Sequence, residues 1–157
     1  MAGWLDAYRL RWKRRRLLAR AVQKRRELVA VVDRTGGIEA EDILCFAVVR
    51  NEAVRLPWFL EHHRKLGVAR FLVVDNDSDD GTAEFLAAQP DVSLWHTRAG
   101  YKASRFGLDW TNWLLARYGH GHWCLTLDAD EALVYPYCDT RDLRALTAWL
   151  DGQGREM

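Results

Sequence analysis

The stretch that decides the fold is WCLTLDADEALV, residues 123–134, in which a run of apolar and β-favouring residues stops at three carboxylates. Residues 123–127 have the pattern of a buried strand, and Asp128, Asp130 and Glu131 follow it directly. Like charges gathered near a core are costly unless a cation lies among them. Because Mg2+ and Mn2+ take carboxylate oxygens, the stretch predicts a divalent cation that itself holds phosphates. A strand that ends in a solvated acidic turn would show the same triplet.

The composition fits one domain with a substantial core, since the chain has 157 residues and 49% of them are hydrophobic. The net charge of +1 hides an asymmetry: residues 1–34 hold eleven Lys and Arg against three acids, and the rest holds twelve against nineteen. No apolar run reaches the length of a membrane span, and the arginine-rich start lacks the apolar core of a signal peptide. Three cysteines, an odd number, predict free thiols in a reducing compartment. The expected location is therefore cytoplasmic.

A basic amphipathic helix is predicted over residues 4–32, which contain no Pro or Gly and whose apolar residues recur at near-helical intervals. A Gly-Gly pair ends it, so the predicted parts are 1–37, the helix and its linker, and 38–157, the domain. Cations together with Trp4 and Trp12 suit an anionic membrane surface, which would place the protein peripherally on the inner face of the membrane. A solvated or partner-packed helix would have the same sequence. Nucleic acid, the other obvious polyanion, is not the expected partner.

After the linker, apolar runs alternate with amphipathic stretches, which predicts an α/β domain with a mainly parallel sheet flanked by helices. Continuous apolar runs, typical of strands that are covered on both faces, lie at 43–49, 71–74, 92–95 and 122–127. Helices are predicted at 57–65, 83–88, 104–118 and 143–150.

Three polar clusters directly follow predicted strands: Arg50–Glu52, Asp75–Thr82 and Asp128–Glu131. Ligands of open α/β sheets bind at the carboxyl ends of the strands, so we expect the three clusters to meet in one site for a metal and a nucleotide. The chain contains neither GxxxxGK[ST] nor GxGxxG, which removes the P-loop and the Rossmann fingerprint as explanations. The second cluster also lacks the Gly and Glu positions of an EF-hand calcium loop.

Taken together, these motifs resemble the family 2 glycosyltransferases of the GT-A fold. The likeness is closest to a bacterial branch that reads Arg-Asn-Glu, then Leu-Gly-Val, then Val-Asp-Asn-x-Ser-x-Asp-Gly-Thr, found here at 50–52, 66–68 and 74–82. Leu-Asp-Ala-Asp-Glu at 127–131 completes the order, and the likeness runs from about Ile43 to Pro136.

The resemblance implies a metal-dependent, inverting transfer of a sugar from a nucleotide-diphosphate sugar to a hydroxyl of a glycan, lipid or protein acceptor. Asp75 would accept a hydrogen bond from the base or ribose. Asp128 would face the ribose and the metal, and Asp130 would bind the Mn2+ or Mg2+ that bridges the phosphates. Many family members have Asp where this chain has Asn76. The residues expected to bind the nucleotide sugar are Arg50, Asn51, Glu52, Asp75, Asn76, Lys102 and Asp128.

The resemblance assigns no residues of this chain to the acceptor side of the reaction. In the family, the general base that deprotonates the acceptor lies beyond the region matched here, so the expected domain is partial and its catalytic base is expected past the C-terminus. A non-catalytic nucleotide-sugar-binding fragment is therefore an alternative function. A nucleotidyltransferase is another, although this chain has no Gly-rich loop with Arg or Lys after the first predicted strand.

Overall fold

The alternating pattern folds into a sheet with helices on both faces. A computed structural model describes residues 3–153; in the first helix it describes the side chains of Asp6 and of Tyr8 onward, so the side chain of Trp4 lies outside the described residues. The α-helices are α1 (Gly3–Lys24), α2 (Leu56–Leu66), α3 (Thr82–Ala87), α4 (Leu108–Tyr118) and α5 (Leu143–Gly152). The strands are β1 (Val29–Val32), β2 (Leu44–Val49), β3 (Arg70–Asp75), β4 (Val92–His96) and β5 (Cys124–Thr126).

The sheet has the order β1-β4-β3-β2-β5. Strands β2, β3, β4 and β5 run parallel, and β1 pairs with β4 in the antiparallel direction. The predicted α/β class with a mainly parallel sheet is confirmed, and the arrangement is that of Rossmann-like domains. Because all four parallel strands end at the same edge, the loops that follow them are brought together there.

The two faces of the central strands carry separate apolar cores, since successive side chains of a strand point to opposite faces. Cys45 and Val73 belong to the core that packs on α2, whereas Phe46 and Leu72 belong to the core that packs on Trp110 of α4. All five are at most 1% exposed. Burying a side chain such as Phe or Leu contributes about 1.5–3 kcal/mol, so both cores hold the central strands in place.

The predicted helix over 4–32 agrees with the structure as far as Lys24 and is wrong beyond it. The helix ends at Lys24, a short 3-10 turn follows, and Val29–Val32 forms an edge strand of the sheet. Val-Ala-Val-Val is rich in β-branched residues, which favour strands, and the open edge of β4 supplies its hydrogen-bond partner. The strand thus belongs to the sheet although it precedes residue 38, where the sequence placed the start of the domain.

Helix α1 is anchored to α4 by polar contacts near its C-terminal end. Arg20 Nε lies 2.7 Å from Oδ2 of the fully buried Asp109, and Trp110 Nε1 donates to Glu27 at 2.9 Å. Burial by itself raises the pKa of Asp109, but hydrogen bonds from Arg105 and Arg20 outweigh it and lower the pKa below its ordinary value. The carboxylate therefore remains ionised between two guanidinium groups and ties α1 to the domain.

The remaining element predictions agree with the structure apart from shifted ends. Helix α2 ends at Leu66, and Gly67 caps it with a left-handed φ of 104°, a conformation that glycine adopts without strain. The predicted helix over 104–118 begins only at Leu108, because three consecutive left-handed residues precede it. Cys45, Cys124 and Cys138 are free thiols, as predicted. Among residues 3–153, no helix is long and apolar enough to cross a membrane.

Candidate functional site

A cavity of about 320 Å³ opens at the carboxyl ends of β2, β3 and β5. Its volume lies at the lower end of the range for small-molecule sites, about 300–1,000 Å³. Five residues predicted to form the site line it together: Arg50, Glu52, Asn76, Asp128 and Asp130. Three other predicted residues, Asn51, Asp75 and Lys102, do not line the cavity.

The acidic side of the cavity concentrates negative charge around Asp128. Burial raises the pKa of this carboxyl above its ordinary value, and the carboxylates of Glu131, Asp130 and Glu52 raise it further. Glu131 also accepts a hydrogen bond from the Asp128 backbone N–H at 3.1 Å, so it fixes the turn that carries both aspartates. The four acids therefore repel one another, and a cation between them would relieve the repulsion.

Arg55 supplies part of the positive charge that the acids require. Its Nη1 lies 2.7 Å from Glu52 Oε2, and this hydrogen bond, with a smaller contribution from Asp130, raises the pKa of the guanidinium. The pair engages Glu52, whereas Asp128 and Asp130 have no ion-pair partner within the described part of the chain. The two aspartates are therefore the oxygen donors left for a cation.

The carboxylates of Asp128 and Asp130 would suit a metal ion that takes its other ligands from water and a bound phosphate. Within residues 3–153, no group of three or more His, Cys, Asp and Glu side chains is placed to hold a metal ion by itself. Mg2+ is usually bound by one or two carboxylates, with water and substrate phosphates as the other ligands. Asp128 and Asp130 meet that description, because both line the cavity.

Asp75 lies behind the cavity and not on its surface. The residue is 0% exposed; its Oδ2 accepts from His96 Nδ1 at 3.0 Å and from Ser78 N at 3.3 Å. Its Oδ1 is buried and has no hydrogen-bond partner among the described residues. A buried acceptor without a partner costs about 1–3 kcal/mol, so a donor that reached this oxygen would remove a penalty of that size.

The surroundings of Asn76 require an amide at this position. The residue is 3% exposed, and its Nδ2 donates to the carbonyl oxygens of Thr97 and Ala99, both at 3.1 Å. A carboxylate has no hydrogen to donate and would face two carbonyl oxygens here. Asn76 thus joins the end of β3 to the segment after β4 while it lines the cavity.

Asn51 braces two loops instead of lining the cavity. Its side-chain Oδ1 accepts from Asp79 N at 2.9 Å, and its own N–H donates to Ser78 Oγ at 2.9 Å. The next two residues make further hydrogen bonds between the same two loops. Glu52 N donates to Thr82 Oγ1 at 2.9 Å, and Ala53 N donates to Asp80 Oδ2 at 3.0 Å. Residues 78–82 therefore hold the loop after β2, and Arg50 at the start of that loop lines the cavity.

Tyr101 lines the cavity, whereas the sequence predicts this role for its neighbour Lys102. Lys102 is exposed and lies outside the cavity. Burial and, to a lesser extent, Asp128 raise the pKa of the Tyr101 phenol, which is therefore neutral at pH 7. The loop turns sharply because Arg105, Phe106 and Gly107 all have positive φ. The sequence offers one signal for this residue, an aromatic side chain a few positions after β4. The positive-φ turn that follows Tyr101 could not be predicted.

A larger groove of about 760 Å³ lies elsewhere and is mainly apolar. Its lining includes Tyr135, Tyr137, Leu146 and Trp149, with Arg141 as the charged residue. None of the residues predicted for the site belongs to this groove. The predicted site residues that line a cavity therefore belong to the smaller one.

The fold and the cavity define the class: an α/β domain with a mainly parallel sheet and an acidic ligand cavity at its carboxyl edge. A comparison with models of known protein families and a search of curated proteins gave no match.

Proposed function

We propose that this chain is the donor-binding domain of a glycosyltransferase of the GT-A type, similar to family 2, which binds a nucleotide-diphosphate sugar together with Mn2+ or Mg2+. One observation carries the proposal: Arg50, Asn76, Asp128 and Asp130, predicted from three separate motifs, line one cavity at the carboxyl edge of the sheet. Such edges are where open α/β sheets bind nucleotides.

Each cavity residue has a role that its chemistry supports. Asp128 and Asp130 offer carboxylate oxygens to the divalent cation, which when bound neutralises charge on the departing nucleoside diphosphate. Arg50 is exposed at the cavity and places a guanidinium, which matches phosphate oxygens in geometry and charge. Asp75 receives an N–H of the base or an O–H of the ribose at its unpartnered oxygen.

In the reaction, a hydroxyl oxygen of the acceptor forms a bond to the anomeric carbon of the sugar as the bond from that carbon to the phosphate oxygen breaks. The nucleoside diphosphate leaves, and the hydroxyl proton passes to a general base. The cavity residues act on the leaving group, and we assign the base to none of them. The acceptor stays open among glycans, lipids and proteins.

Calorimetric titration of nucleoside diphosphates, with Mn2+ or with a chelator, tests the proposal. We expect Mn2+-dependent binding, loss of that binding in Asp130→Asn, and unchanged binding in the matched control Asp139→Asn, whose carboxylate is exposed outside the cavity. Equal affinity in both variants would remove the central claim. Release of pyrophosphate from a nucleoside triphosphate and a sugar phosphate would favour a nucleotidyltransferase instead.

A further inference from the structure

The N-terminal half of α1 is a helix that packs on nothing in the described chain. Every described side chain from Asp6 to Arg16 is exposed, and the first buried position is Ala21. The exposed side chains include large apolar groups, with Tyr8 at 51% and Trp12 at 58%. Exposed apolar area of this kind on a projecting helix indicates a surface that is covered by something else.

Four exposed apolar residues form a stripe on the side of α1 that faces away from the domain, whereas exposed Leu10 lies on the same side of the helix as Leu17. Tyr8, Trp12, Ala19 and Val22 follow one another at helical spacing, and we call them the outer stripe. The side that contacts the domain carries Leu17 and Ala21, its half-buried and buried positions. Ala19 lies two residues beyond Leu17, which is about 200° around the helix at 3.6 residues per turn. The outer stripe therefore points outward.

Cations surround this part of α1, and one of them, Arg15, lies within the outer stripe between Trp12 and Ala19. Arg9, Arg11, Lys13, Arg14, Arg15 and Arg16 are all exposed, and none has a carboxylate within 4.0 Å among the described residues. Several of these cations are spaced four apart, as Arg11 and Arg15 are, and like charges at that spacing destabilise a helix. An unpacked helix of this length is already marginal in water. An anionic surface would remove the repulsion and support the helix.

Anionic lipid fits this surface better than nucleic acid does. A helix that lies in a membrane interface buries an apolar face with aromatic residues and extends Arg and Lys to the headgroups. The outer stripe provides that face. Arg15 lies within the stripe and can extend its guanidinium past the apolar groups to the headgroups, and Arg11 and Arg16 lie on its two sides. Against nucleic acid, the stripe would set the aliphatic Val22 toward phosphates, where it can neither stack nor pair. We propose that α1 docks on an anionic membrane surface through the outer stripe and the cations within and beside it.

Co-sedimentation of the full chain with vesicles tests this proposal. We expect binding to equimolar phosphatidylcholine and phosphatidylglycerol and little binding to phosphatidylcholine alone. Each cation near such a surface contributes about fivefold, so the double variant Arg15→Gln/Arg16→Gln should bind roughly 25-fold more weakly. Salt at about 1 M, where the Debye length is about 3 Å, should release the protein.

Matched control variants test whether a loss of vesicle binding is specific to the outer stripe and its cations. Trp12→Ala should weaken vesicle binding, whereas Trp149→Ala, which removes an equally exposed tryptophan elsewhere (56% against 58%), should not. Arg98→Gln/Arg144→Gln removes two exposed cations outside α1 and should leave binding unchanged. Binding that ignores anionic lipid and salt, or that is the same in all variants, overturns the proposal. Binding to duplex DNA or single-stranded RNA without binding to vesicles overturns it in favour of nucleic acid.

Discussion

His96 Nδ1 lies 3.0 Å from Asp75 Oδ2, and the pair joins the ends of two neighbouring strands through a carboxylate that solvent does not reach. The hydrogen bond fixes the orientation of the carboxylate. Its second oxygen is thereby held in a buried position where no described group donates to it. In the proposed function, this oxygen accepts a hydrogen bond from an N–H or O–H of the nucleotide and so contributes to specificity.

Asp75→Asn should weaken the binding of a nucleoside diphosphate in the presence of Mn2+ by about 1–3 kcal/mol, the cost of an unmade buried hydrogen bond. The amide oxygen would keep the hydrogen bond from His96, so the NH2 group would take the place of the unpartnered oxygen and meet the ligand's donor. Calorimetry measures the change. Asp79→Asn, an exposed neighbour, is the control. A loss of thermal stability with affinity intact would show that Asp75 serves the turn at Ser78 alone.

Asp128→Asn should stabilise the metal-free protein at neutral pH. The folded-state pKa of Asp128 is raised, so its ionised form is disfavoured in the folded chain and stability is lost as pH rises through that pKa. The amide carries no charge and avoids this loss. Exposed substitutions change stability by about 0.5 kcal/mol or less, so the rise in Tm should be on the order of 1 °C. Thermal unfolding with a chelator measures it.

The gain from Asp128→Asn should vanish below pH 3.8, the ordinary pKa of the carboxyl, because the aspartate is then protonated in both states. Added Mn2+ and nucleotide should reverse the order of stability, since a ligand that binds only the folded state stabilises the native chain more than the variant. A variant less stable than the native chain at neutral pH without metal would show that the acids do not repel one another.

His63 should make the protein less stable in mild acid. The ring is fully buried; its Nδ1–H donates to Phe59 O at 2.8 Å and its Nε2 accepts from Leu133 N at 3.3 Å. Burial lowers the pKa of His63 below 6.5, and nearby His62 lowers it further. Stability is therefore full above pH 6.5 and falls below it, by up to about 1.4 kcal/mol per pH unit, until the folded-state pKa is passed.

Urea unfolding from neutral to mildly acidic pH measures this slope. His63→Gln should flatten it while lowering stability at neutral pH, because the bond to Leu133 is lost. His120→Gln, at an exposed position, should leave the slope as it is. An unchanged slope in His63→Gln would assign the acid sensitivity to other groups.

Gly107→Ala should destabilise the fold more than Gly81→Ala does. Both glycines have positive φ, 79° and 91°, so alanine costs about 1–2 kcal/mol at either. A Cβ at Gly107 would also lie 3.0 Å from Val48 Cγ2 and 3.2 Å from Tyr101 Cε2, whereas one at Gly81 meets nothing within 4 Å. Chemical denaturation gives the difference. Val48→Ala should recover part of it in the double variant; equal losses at the two glycines would exclude a steric contribution.

The parallel sheet could be predicted because its strands are apolar on both faces, which follows from burial between two helical layers. Strand β1 could not, because Val29–Val32 continues the apolar spacing of α1 and becomes a strand only beside the open edge of β4. That partner is distant in sequence. The left-handed residues 105–107, which delay the start of α4, likewise have no signal in a stretch where only one of the three is glycine.

The sequence predicts those site residues whose positions depend only on where the strands end. Arg50 and Asp130 follow strands whose ends meet, so the topology brings them together. Asn51 and Asp75 follow the same rule, but backbone hydrogen bonds and burial turn their side chains into the supporting structure. Tyr101 reaches the cavity through an irregular loop. Which polar group near a strand end faces the ligand is decided by loop geometry, and residue type alone does not specify it.

The strands that carry the cavity residues differ in length, and the shorter strand is held by fewer hydrogen bonds. Strand β5 is three residues long and pairs only with β2, at the edge of the sheet, whereas β2 and β3 share six paired positions. The acids that follow β5 therefore rest on the least supported strand, and Arg50 and Asn76 on the best supported ones. Amide hydrogens around Asp128 should exchange through a local opening that leaves the central strands closed. In the proposed function, a nucleotide sugar that contacts both groups of residues would oppose this opening, because the opening would have to break those contacts as well. Exchange around Asp128 should then slow when the nucleotide and Mn2+ are added.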